Sequence, residues 1–129
     1  MKFMLTQSYA PTDVAPEPLS EWPPEDAQAH IDFQVRVNEE LTRSGELVEA
    51  QALTGPDDAR IVVSDGTGAP VVTDGPFPES KEFLAGYRIV EVDSLERALE
   101  IAAQTSAAPG PGGQPIKQPI EVREIMGAP

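Results

Sequence analysis

Asp74-Gly75-Pro76-Phe77-Pro78-Glu79-Ser80-Lys81-Glu82 runs directly into residues 83–92, Phe-Leu-Ala-Gly-Tyr-Arg-Ile-Val-Glu-Val, and the two stretches together decide the architecture. Asp-Gly and Gly-Pro are turn dipeptides, and Pro76 and Pro78 each hold φ near one setting, so the first stretch is a stiff polar corner. The second is the longest strand candidate in the chain. Alternation places Tyr87 and Ile89 on one face and Arg88, Val90 and Val92 on the other, so apolar groups lie on both sides and neither face is simply wet.

Downstream of that strand, Asp93 with Glu96 three residues on has the spacing of a helix-opening capping box. Leu95, Ala98, Leu99 and Ala102 then repeat at i, i+3, i+4 and i+7, which predicts a helix ending near Gln104. Residues 107–118 are rich in proline and glycine and read as a mobile loop, and Ile120 and Val122 alternate with Glu121 and Arg123 as a last strand. Upstream, residues 2–7 alternate as a first strand, and residues 9–24, carrying five prolines, are too broken for regular structure. Residues 25–43 place Ala27, Ile31 and Val35, with Phe33, Val37 and Leu41 beside them, on a helix that Pro24 opens and Gly45 caps. Residues 46–53 and 58–65 predict two strands joined by Thr54-Gly55-Pro56-Asp57. A connection that short implies an antiparallel hairpin. Val71 and Val72 add a brief extra strand before the corner.

The order is therefore βαββαβ with one extra short strand, a single α+β domain over residues 1–129 of the ferredoxin-like kind. Two helices with one apolar stripe each can cover one face of a four-stranded sheet. The other face, also apolar, calls for a second copy of the chain.

The run 74–82, followed by Gly86-Tyr87 and by Val92-Asp93-Ser94-Leu95, resembles the DGPF subgroup of the YCII-related family. That resemblance implies a dimeric α+β barrel, in which two ferredoxin-like sheets face each other, and it implies a fold rather than a reaction. Residues 9–24 and 107–118 have no counterpart in it.

Composition narrows the function classes. The chain has no cysteine, which removes disulfides, thiolate metal sites and thiol nucleophiles and is compatible with a reducing compartment. Twenty-two acidic residues against nine basic ones give a formal net charge of −13, a field that repels phosphate backbones and anionic membranes. No signal peptide or membrane span is legible, and a cytoplasmic homodimer without nucleic-acid or membrane partners is expected.

Two residues are catalytic candidates. Asp74 at the corner could act as base with Lys81 nearby to hold it ionised, although closing its own turn explains the Asp-Gly-Pro pattern without chemistry. His30, the only histidine, could act as a general base, but no surrounding motif places it beside a carboxylate, and a partly exposed structural histidine is the simpler reading. Tyr9, Asp74, Lys81, Tyr87 and Arg88 are the candidate ligand contacts. Arg88 would favour an anionic molecule between the two sheets of a dimer. One histidine and scattered carboxylates show no ligand spacing, so no metal is expected, and without a phosphate-cradling glycine motif no cofactor is expected either. Two functions remain. One is a small-molecule pocket between the sheets of a homodimer, with or without turnover. The other, drawn from the resemblance, is an accessory protein of an extracytoplasmic-function sigma factor, whose basic surface the acidic chain could meet.

Overall fold

In the computed structural model, which describes residues 1–9, 19–75 and 83–128, the chain runs β1 (Lys2–Tyr9), α1 (Pro24–Ser44), β2 (Leu47–Ala52), β3 (Arg60–Val63), β4 (Val71–Asp74), β5 (Phe83–Glu91), α2 (Leu95–Ser106) and β6 (Ile120–Glu124). Four strands form one antiparallel sheet in the order β2-β5-β1-β6. With β3 and β4 set aside this is the ferredoxin-like βαββαβ order, with the two halves interleaved at β5 and β1.

The expected hairpin between the second and third strands does not form. β2 pairs with β5, while β3 pairs with β4 as a separate two-stranded sheet. A short connector permits antiparallel pairing without requiring it. β2 finds a longer partner in β5, and the chain between them leaves the main sheet as an inserted hairpin. That insertion is closed by Arg60–Asp74 pairing, and its valines Val62, Val63, Val71 and Val72 are exposed.

Both helices lie on one face of the sheet. Phe3, Leu5, Val90 and Val92 from the strands pack against Val37 and Leu41 of α1 and Ala98, Ile101 and Ala102 of α2. On α2 the buried stripe is thus Ala98, Ile101, Ala102 and Thr105, whereas Leu95 and Leu99, expected inside, flank it half exposed. Small residues let this helix approach the sheet closely. The helix begins one residue later than the capping-box spacing suggested. Ser94, not Asp93, is the N-cap, its hydroxyl accepting the Arg97 N–H at 3.2 Å. Gly45 does cap α1, at φ 80°, the left-handed setting in which a side chain is strained.

The segment 107–118 is not a free loop. Ala108 is fully buried, Pro109 and Pro115 form a bridge, and the Ile116 N–H donates to the Ala108 carbonyl at 2.9 Å. A further bond from the Gly112 N–H to Asp26 Oδ2, at 3.0 Å, ties the segment to the first turn of α1. Its proline and glycine content serves a tight, anchored turn.

Candidate functional site

The helix-facing row of the sheet is bulky at one end and small at the other. Phe3, Val90 and Leu47 fill the space under the C-terminal half of α1, but Ala50 lies opposite Arg88 and Ala52 opposite Gly86. Gly86 cannot be enlarged, because a Cβ there would sit 2.8 Å from the Gln51 carbonyl oxygen. Where the row shrinks, a cleft of ≈ 380 Å³ opens between α1 and the sheet. Trp22, Ile31 and Val35 contribute apolar walls, and Ile116 and Gln118 of the anchored segment close one side.

The face that α1 turns toward the sheet follows the same gradient. Leu41 and Val37 are buried in the core, and one and two turns nearer the N-terminus the helix offers Gln34 and His30 to the cleft, with Asn38 beside them. Ile31 and Val35, expected on the buried stripe, are instead 43% and 49% exposed at the rim. Counting apolar residues cannot reveal that a helix points polar groups inward.

Arg88 stands at the floor of the cleft, 6% exposed. Its Nε donates to Asn38 Oδ1 at 2.7 Å, and one terminal nitrogen donates to Gln34 Oε1 at 2.6 Å and to the Gln34 carbonyl at 3.3 Å. All three acceptors are neutral. The other terminal nitrogen makes no hydrogen bond to a described residue. Since no wholly buried side-chain nitrogen or oxygen lacks a partner, that nitrogen keeps some exposure, and the cleft that Arg88 lines is the opening beside it. Burial pulls the guanidinium down from its ordinary value, yet arginine starts so high that it stays protonated. A buried ion without a counter-ion costs several kcal/mol, and among the described residues lining the cleft there is no carboxylate.

His30 is coupled to this arginine through Gln34. Its Nδ1 lies 3.0 Å from the Pro109 carbonyl, which can only accept, so Nδ1 carries the proton and Nε2 presents a lone pair. Gln34 Nε2 approaches that lone pair at 3.4 Å. Because Arg88 requires the Gln34 oxygen, the amide nitrogen is directed at His30. The imidazole also meets Trp22 edge-on, ring centres 5.2 Å apart.

Of the other expected residues, Tyr87 also borders the cleft, through its place between Gly86 and Arg88 on β5. Its side chain points away from the helices, on the opposite face of the sheet from Arg88, where its hydroxyl donates to Glu49 at 3.2 Å. Desolvation, with Glu49 second, raises its pKa. Asp74 is on the inserted hairpin, 3.1 Å from Arg60, and does not line the cleft. Tyr9 pairs with Phe83 at the end of β1. Lys81, with the rest of residues 76–82, falls outside the described residues. Gln34, Asn38 and Trp22 had no motif to mark them. The one legible signal was the polar residues at i, i+4 and i+8 on α1, in line with Arg88 across the sheet. No group of three or more His, Asp or Glu able to hold a metal occurs among the described residues, and no helix among them is long and apolar enough to cross a membrane.

The chain is similar to an uncharacterised protein of Rhizobium meliloti (strain 1021), 29% identical over 99 residues, an alignment covering 76% of this chain and 79% of that one. The YCII-related domain matches residues 1–112. With a match spanning most of its length, on a fold of the expected class, the chain belongs to the YCII-related domain family.

Proposed function

We propose that the protein acts as a cytoplasmic homodimer that binds a small organic molecule in the cleft between α1 and the sheet. The observation that carries this reading is the cleft itself, ≈ 380 Å³ of space with apolar walls and convergent polar groups from Arg88, Gln34, Asn38 and His30. That combination is the usual make-up of a ligand pocket. It lies on the helix side of the sheet within one protomer, the opposite side from a pocket between two facing sheets. Should the bound molecule be transformed, His30 Nε2 is the group able to accept a proton from it, on giving up its 3.4 Å contact with the Gln34 amide. Association with a sigma factor draws only on net charge and on likeness to the DGPF subgroup, and retention of such a factor by immobilised protein would test it.

A thermal-shift screen against small organic molecules tests the binding reading, run in parallel on Ala52→Leu, which narrows the cleft from an exposed position on its floor. Compounds that stabilise the wild type and lose that effect in Ala52→Leu are expected. A compound set that stabilises both chains equally would remove the cleft as the binding site.

A further inference from the structure

The chain has more than twice as many acidic as basic residues, yet the arginine it buries most deeply has no acid bonded to it among the described residues. Arg97 shows the alternative. At the protein surface its guanidinium grips Glu46 with two bonds, 2.8 and 2.9 Å, and reaches Glu100 at 3.1 Å. Arg88 is held by Asn38 and Gln34, the neutral amides that correspond to Asp and Glu, with geometry a carboxylate would match. Those contacts fix the plane of the guanidinium and leave one terminal nitrogen beside the cleft. A positioned, charged donor surrounded by neutral partners attracts an anion that none of the described residues lining the cleft supplies.

From this we infer that the cleft takes a small organic monoacid, its carboxylate on the free edge of Arg88 and its apolar body against Trp22, Ile31 and Ile116. The inference rests on the reading of the cleft as a binding site and names the class of its ligand. A single guanidinium suits one negative charge. No lysine and no second arginine lines the cleft among the described residues, so a dianion such as a phosphate monoester would be left under-neutralised.

Trp22 is the only tryptophan and lines the cleft, so its emission reports occupancy directly. The test is a titration with benzoate, phenylacetate and hexanoate, each paired with its neutral carboxamide, on wild type, Arg88→Gln and Asn38→Asp. In wild type at least one acid is expected to bind tenfold or more tightly than its amide. In Arg88→Gln the ratio should fall to about one. Asn38→Asp places a carboxylate where Oδ1 already meets Nε; it should raise the melting temperature and also bring the ratio to about one, which keeps the test alive if Arg88→Gln does not fold. A purely structural Arg88 would allow the rise in melting temperature without changing the ratio. Equal binding of acids and amides would overturn the monoacid inference while leaving the cleft as a binding site. Failure of both members of every pair to perturb Trp22 would overturn the two together.

Discussion

Glu46 and Arg97 illustrate at the scale of single residues how this chain uses its acids. Hydrogen bonds from Arg97, against some desolvation and with help from Ser44, hold the Glu46 carboxyl at about 2, below its ordinary value of 4.5. A carboxyl depressed in the folded state binds fewer protons there than in the unfolded chain. The stability it contributes is therefore complete above the unfolded value and is lost as pH falls from about 4.5 toward 2. Because the pair is partly solvated, its worth is about 1 kcal/mol. Glu46→Gln should lower stability by that amount in urea unfolding at pH 7, and the gap from wild type should close as pH approaches 2. A gap that stays constant with pH would show that the pair is not responsible. At this scale the sequence was legible in identity and not in partnership. The parity of the long strand separated Arg88 from Tyr87, but that Arg88 meets amides from a helix fifty residues earlier, while Arg97 meets Glu46, depends on tertiary geometry.

Elements announced themselves where their signals were local. Pro24 and Gly45 bracket α1 in the sequence as in the structure, and the β1, β5 and β6 alternations needed no knowledge of the fold. Where two adjacent residues compete for one role, local pattern is weaker. Asp93 and Ser94 are both good caps, and only the observed bond from the Arg97 N–H selects Ser94. Ser94→Ala is expected to cost about 1 kcal/mol and Asp93→Ala less than about 0.5 kcal/mol, as read from urea midpoints. The reverse ranking would return the cap to Asp93. Strand pairing was the least legible feature. The choice of β5 over β3 as partner for β2 is made by contacts between residues about forty apart, and a turn sequence cannot express it. The cleft was hidden for the same reason, since it arises where Ala50, Ala52 and Gly86, unremarkable singly, come to lie side by side beneath α1.

For the whole molecule, the helices cover one face of the sheet and leave on the other a band of Met4, Thr6, Tyr87 and Ile89, flanked by Glu49, Glu121 and Arg123. An apolar band rimmed by charges is the surface on which the proposed homodimer would close, hiding that band against its copy. Ile89→Asp puts a charge at its centre. In sedimentation-equilibrium measurements wild type should behave as a dimer and Ile89→Asp as a folded monomer. A wild-type monomer at micromolar concentration would remove the dimer and leave the cleft, which one protomer builds alone, unaffected.

The claim on which the functional reading depends is that ligands enter between α1 and the sheet. It is tested most directly by mapping amide and indole chemical-shift changes in the isotopically labelled protein as small organic acids are added. Changes that saturate and cluster at Gln34, Asn38, Arg88 and the Trp22 indole are the predicted result. Changes confined to the outer face around Met4, Tyr87 and Ile89, or to the β3–β4 hairpin around Asp74, with the cleft silent, would contradict it.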